Sequence, residues 1–298
     1  MAQGVPRPAG LLLMLAVTAG VVTALPKPFD RNNRTIYHFH IHKCGGTSFC
    51  ADAVANNETV PDGFPRSNCN GQGDNPQGSH AIGGKYNENF DCDGRLAAMG
   101  NVTYFQTENV FNQRMLECPD RLLIGMQMRH PIRRIISHIS YETRLRSDNT
   151  AKARAETFSP RPNSDTRYGS ATVNNYYIRS LLGSVVYEAP LGTITRAHLE
   201  AAKRVLDQFV IFILEHAEWH EEMLACYYDW DERAQQAEGT HLRDSHGSSS
   251  AWAEENLDDE WRAKLEELNA LDLELFRYAV GLSAEQLGAC RDAQNARS

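Results

Sequence analysis

The chain has 298 residues, 42% of them hydrophobic, and carries 30 basic against 38 acidic side chains, a net charge of −8. That length and apolar content suffice for one large domain or two small ones with an ordinary core. The acidic balance argues against a nucleic-acid partner, which calls for a basic stripe. The charge is also uneven. Residues 121–167 hold ten basic and four acidic side chains, a balance of +6, and residues 215–274 hold four basic and eighteen acidic, a balance of −14. The middle third therefore offers an anionic ligand a landing field, and the acidic third reads as solvated helix face.

The first predicted element is Gly10–Leu25, a continuous apolar run of 16 residues preceded by Arg7 and closed by Pro26. About 20 residues span a bilayer comfortably. The run therefore reads as a short membrane anchor or the core of a signal peptide, with small residues at Val22-Thr23-Ala24 near a cleavage point. Residues 1–30 form this segment, and residues 31–298 form a domain exposed to the secretory lumen or the exterior. Asn33-Arg34-Thr35, Asn57-Glu58-Thr59 and Asn101-Val102-Thr103 fit the glycosylation triplet. Seven cysteines in a lumenal chain predict disulfides plus one leftover thiol. Cys50, Cys69, Cys92, Cys118, Cys226 and Cys290 supply three bridges, with about 15 pairings open. No C-x-x-C pair exists, so no metal site is expected.

Thr35–Phe49 follows, TIYHFHIHKCGGTSF. Thr35, Ile36, Tyr37 and Phe39 suit a buried strand. Gly45 and Gly46 permit a tight turn and close approach to a ligand. Thr47 and Ser48 are placed to cap a helix whose N-terminus offers N–H groups to an anion, and Lys43 adds a charge at the same spot. The lysine precedes the glycines, so this is a phosphate cradle without the Walker A spacing. Residues 61–89 read as a long loop pinned by Cys69 and Cys92, and Val102–Gln106 as a second strand. Arg121–Ser140 is a third strand ending in Arg129, then a helix opening at Pro131 with a buried stripe of Ile132, Ile135, Ile136 and Ile139. Ser137 lies two turns along it, so Arg129 and Ser137 converge on one ligand. The arginine fork suits phosphate oxygens.

Residues 148–169 form a second loop. Helices over Ile194–Leu206 and Trp219–Tyr228 flank a strand at Phe209–Leu214. After a polar loop at 241–250, one last helix covers Leu257–Val280, with Leu257, Trp261, Leu265 and Leu268 facing the core. Strands alternating with helices predict an α/β layer fold with a mainly parallel sheet.

Together the two glycine- and arginine-bearing segments resemble the sulfotransferase superfamily that uses 3′-phosphoadenosine 5′-phosphosulfate (PAPS), in particular the Golgi membrane-bound carbohydrate enzymes such as the heparan sulfate sulfotransferases. His40-Ile41-His42-Lys43-Cys44-Gly45-Gly46-Thr47 is similar to that family's 5′-phosphosulfate loop, with Cys44 in place of threonine. Arg129-His130-Pro131 with Ser137 is similar to its 3′-phosphate motif, with His130 in place of aspartate. Asn174–Gly183, Ala201–Leu224 and Leu257–Val280 resemble later family segments, so the likeness covers about residues 35–280. It implies a P-loop-like three-layer fold, PAPS as co-substrate held by Lys43, Cys44, Gly45, Gly46, Thr47, Ser48, Arg129 and Ser137, no metal, and a glycan acceptor. The net charge argues against a highly sulfated polymer in that role.

Sulfuryl transfer also needs a base. Glu108 follows the second strand, where a carboxylate at the strand's C-terminal edge points toward the ligand crevice. His80 in the long loop is the rival, and His40 and His42 flank Lys43 on one face. Cys44, inside the phosphate loop, is the expected leftover thiol. Two other classes fit the pattern less well: a P-loop nucleotide kinase, which lacks its Walker A sequence here, and a noncatalytic glycan-binding protein, which would have no use for Lys43, Arg129 and Ser137 together.

Overall fold

The computed structural model of the protein describes residues 26–61, 68–70, 92–108, 110–145, 154, 170–231, 251–253 and 255–297. The apolar N-terminal run, His80 and most of the loops expected at 61–89, 148–169 and 241–250 lie outside these residues. Among the described residues no helix is long and apolar enough to cross a membrane.

Four parallel strands form the centre: β1 (Thr35–Phe39), β2 (Tyr104–Thr107), β3 (Leu122–Met128) and β4 (Val210–Ile213), in the order β2-β1-β3-β4. Alternation along each strand divides its side chains between two cores. Tyr37, Phe39, Phe105, Ile124, Met126, Ile211 and Ile213 point to one, and Ile36, Tyr104, Leu123, Val210 and Phe212 to the other. Helices cover both faces, as an all-parallel sheet requires. On the second face lie α1 (Gly46–Ala55), through Phe49 and Ala53, and α8 (His220–Tyr228), through Met223 and Tyr227.

The first face is covered by α5 (Tyr176–Leu181) and α7 (Arg196–Leu206), with α6 (Ser184–Tyr187) beside them. Between these elements run α2 (Cys92–Met99), α3 (Pro131–Leu145) and α4 (Ser170–Val173). The predicted isoleucine stripe of α3 is buried, and it packs on Trp261 and Leu265 in a third core.

The C-terminal helix differs from its prediction. It is two helices, α9 (Asp259–Leu268) and α10 (Ala270–Asn295), broken at Asn269 (φ −120°, ψ 20°). The buried Asn269 side chain donates to the Val173 carbonyl at 2.7 Å and accepts from the Asn175 N–H at 2.9 Å. One turn on, the buried Asp272 carboxylate accepts the N–H groups of Tyr177 and Ile178 at 2.8 and 3.1 Å, capping α5. Apolar spacing runs straight through the break, so periodicity alone does not reveal it.

Cys50–Cys69, Cys92–Cys118 and Cys226–Cys290 form disulfides, and Cys44 is the buried free thiol. Cys69 and Cys92 thus each pin one end of the long loop, to α1 and to the chain before β3. The 64-residue separation of Cys226 and Cys290 corresponds to a loop-closure term of about 4 kcal/mol.

Arg179 on α5 is fully buried. It donates to five carbonyl oxygens, those of Asn174, Val186, Tyr187, Ala189 and Pro190, and to the Asn174 side chain, at 2.5–3.2 Å. One guanidinium thereby fixes the turn from α5 through α6 toward α7. Replacing it leaves buried carbonyls without donors, each costing about 1–3 kcal/mol. Arg179→Met is expected to lower unfolding free energy by about 3 kcal/mol or more, read by denaturant titration; a loss under about 1 kcal/mol would contradict this role.

Candidate functional site

The strand order places the site. The chain leaves β1 toward β2 on one side, and leaves β3 toward β4 on the other. The switch point therefore lies between β1 and β3, where α/β sheets bind ligands beyond their strand C-termini. The two loops at that point are the two motif-bearing segments, residues 40–45 and 129–130.

The first loop holds its shape by backbone strain and a histidine. Lys43 and Gly45 both sit in the left-handed region, at φ 70° and 86°. For lysine that is uncommon, and such strain clusters at functional sites. Gly45 starts α1 directly. No side chain caps that helix, so the capping expected of Thr47 and Ser48 does not occur. The left-handed glycine has already turned the chain. Thr47 instead donates to Asn68 Oδ1 at 3.0 Å, which ties α1 to the chain next to Cys69.

The Gly46 N–H donates to His40 Nε2 at 3.2 Å, and a Cβ on Gly46 would lie 2.4 Å from that ring. His40 is thus a support of the loop, and glycine is required against it. Lys43 Nζ lies 4.0 Å from the centroid of the Tyr141 ring on α3, a cation–π contact that sets the direction of its stem.

The second loop meets the first. Arg129 Nη1 donates to the Lys43 carbonyl at 3.4 Å, and Arg129 is buried. Its Nε and the Oγ of Ser137, likewise buried, have no hydrogen-bond partner among the described residues. Beneath both loops stands Tyr177. Its hydroxyl donates to the Arg129 carbonyl at 2.6 Å and accepts from the Arg129 N–H at 3.1 Å; it also lies 3.2 Å from Cys44 Sγ. Burial pushes the Cys44 thiol up to about 11, against the Tyr177 hydrogen bond, so it stays protonated. The turn after the neighbouring β4 contributes Glu215, whose carboxylate accepts the His130 N–H at 2.9 Å.

Glu108 follows β2, as predicted, and sits beside His40 and His42. Its Oε1 lies 2.6 Å from His42 Nδ1 and 4.0 Å from His40 Nε2, and Asn70 Nδ2 approaches Oε2 at 3.5 Å. Burial raises its carboxyl pKa, but the charge of His40 and the hydrogen bond and charge of His42 outweigh it and bring the group down to about 2. Glu108 is therefore an ionised partner that orients an imidazole.

The structure thus brings together Lys43, Cys44, Gly45, Gly46 and Arg129 around one point, with Glu108 and His42 beside it. Thr47 and Ser48 lie in the first turn of α1, and Ser137 lies along α3. The other base foreseen, His80, lies outside the described residues. Sequence reading missed Tyr177, Tyr141 and Asn70. Tyr177 stood in the Asn174–Gly183 segment, read only for its family likeness, and the contacts of the other two join residues far apart in the chain. No protein-family model and no curated protein matches this chain. Function is read from the chemistry of these side chains.

The folded pKa of Glu108 lies below its ordinary 4.5, so its ionised form stabilises the fold above that pH, and the contribution is lost as pH falls toward about 2. The stability difference between wild type and Glu108→Gln is expected to shrink across that window in denaturant titrations at stepped pH. A difference that stays constant would place the carboxylate outside the pairing.

Proposed function

We propose that the chain is a sulfotransferase that moves a sulfuryl group from PAPS to a hydroxyl or amine of a carbohydrate acceptor by in-line displacement, on a P-loop-like fold. The observation that carries this reading is the pairing at the switch point. A strained, lysine-bearing loop at a helix N-terminus abuts a buried arginine whose Nε, with the Ser137 hydroxyl, has no partner among the described residues. Such unmet buried groups each cost about 1–3 kcal/mol. A donor with a second phosphate, on the 3′ position, offers charged acceptor oxygens for both, where a simple 5′-monophosphate has only a neutral hydroxyl.

Each residue has a role in that chemistry. PAPS supplies the sulfuryl group and a phosphate-ester leaving group. The α1 N-terminus and the backbone around Gly45 hold the 5′ phosphate. Arg129 and Ser137 hold the 3′ phosphate. Lys43 offsets charge that develops on the bridging oxygen, an interaction strongest in the transition state. His42 takes the acceptor proton at Nε2, since its Nδ1 faces Glu108. Glu108 was the base foreseen from sequence. Held ionised down to about pH 2, it is a weak proton acceptor.

The same reading places the domain in the secretory lumen, anchored in the Golgi membrane by the N-terminal segment or secreted after its removal. Three disulfides support an oxidising compartment. Asn33, Asn57 and Asn101 are all exposed. Asn33 and Asn101 precede β1 and β2, and Asn57 follows α1 beside Thr59, whose carbonyl accepts the Thr103 N–H. All three thus cluster at the strand N-termini, opposite the site. Expressed through a secretory pathway, the protein is expected to lose mass in three steps on partial glycosidase digestion; an unglycosylated secreted product counts against a lumenal domain built this way.

Calorimetry tests the function directly. The protein is expected to bind 3′-phosphoadenosine 5′-phosphate far more tightly than AMP, and Arg129→Ala to abolish most of that preference. Equal affinity for the two nucleotides would remove the reading. With labelled PAPS and a glycan panel, Lys43→Ala is expected to lower turnover about a hundred- to a thousand-fold, and His42→Ala about a hundred- to ten-thousand-fold, with donor affinity little changed by the latter.

A further inference from the structure

His42, His138 and Glu142 form a cluster of which the proposed reaction uses only one member. One ligand atom from each lies within 4.8 Å of the others. His138 and Glu142 stand four residues apart on α3, a spacing that sets them on one helix face, and both are buried. His42 arrives from the loop after β1. Its ring meets that of His138 edge-on, with centroids 5.2 Å apart and planes at 76°. We propose that these three side chains bind a first-row transition-metal dication of the zinc class.

Four observations converge on that ligand. The donor set, two imidazoles and one carboxylate, matches zinc or cobalt(II) and has too few oxygens for calcium or magnesium. Three protein ligands drawn from two elements leave a fourth position open. The outer shell is already in place: Glu108 sits 2.6 Å from His42 Nδ1, the arrangement that fixes a metal-bound imidazole and leaves Nε2 as its ligand atom. Glu108 and Glu142 also supply two negative charges against the positive Lys43 and Arg134, both of which act on His138. The sequence search for metal ligands followed cysteine spacing and so passed over this set, whose third member lies 96 positions from the nearer of the other two (138 − 42).

The site has a consequence for turnover. His42 Nε2 is the atom assigned to take the acceptor proton, and a metal ion bound there occupies it. Metal binding and sulfuryl transfer are therefore mutually exclusive, and zinc inhibits. This consequence rests on the sulfotransferase reading; the metal site rests on the cluster geometry alone.

Cobalt(II) titration of the purified, metal-stripped protein, read by the visible d–d absorption of the bound ion, separates the two. One equivalent is expected to bind with the strong bands of a four- or five-coordinate site, and zinc is expected to displace it. Glu142→Gln and His138→Ala should each weaken binding by more than tenfold, and Glu108→Gln by about 10- to 100-fold. Glu142→His keeps a ligand at that position, so it should retain cobalt with shifted bands, which guards against loss through misfolding. No bands in the wild type, or an isotherm unchanged by Glu142→Gln and His138→Ala, overturns the site. Zinc inhibition that follows the cobalt isotherm supports the coupling to His42. Cobalt binding as expected in a protein with no sulfotransferase activity leaves the metal site standing and removes the transfer reading.

Discussion

The Tyr177 hydroxyl is the contact on which the geometry of the site depends. It grips both backbone groups of Arg129 and approaches the Cys44 thiol, so one buried oxygen joins the loops after β1 and β3. Its own position is set from farther away. Asp272 on α10 accepts the Tyr177 and Ile178 N–H groups, and Asn269 and Asn175 lock the same junction. In a low-dielectric interior such a network is strong when complete and costly when broken. A break in the C-terminal helix thereby serves to hold an α5 tyrosine beneath two loops that lie far earlier in the sequence.

Cys44 illustrates how the network uses a buried thiol. It fills a buried site against Tyr177, and burial keeps it protonated. It therefore acts as a small apolar filler with a weak donor. The bridging cysteines lie away from the loops: Cys50–Cys69 holds α1 to the strand edge, and Cys226–Cys290 staples α8 to α10. The loop that shapes the site is held by hydrogen bonds and backbone strain.

Charge at the site is arranged in two layers. Lys43 and Arg129 present positive groups at the strand C-termini, and Arg129 belongs to the basic stretch of residues 121–167. Glu108 and Glu215 stand behind them, one on His42 and the other on the His130 backbone. The carboxylates orient neighbouring groups, and they keep the buried positive charge from going uncompensated.

The sequence by itself determined the strands, the helix stripes and the positions of the two loops. Ile132, Ile135, Ile136 and Ile139 were legible as a buried face, and all four are buried. The turn through Lys43 and the paired glycines was legible because a tight turn at a strand end restricts residue type locally. The free thiol at Cys44 was also foreseen. What only the tertiary structure decided depends on long-range pairing. The strand order put β1 beside β3 and brought the two loops together, and local periodicity holds no information about which strands are neighbours. The disulfide partners, the Asn269 break, the support of Tyr177 beneath the site and the pairing of Glu108 with His42 share that origin. Each joins residues separated by 19 to 133 positions, and their energies come from burial and hydrogen bonds that exist only once the chain has closed on itself.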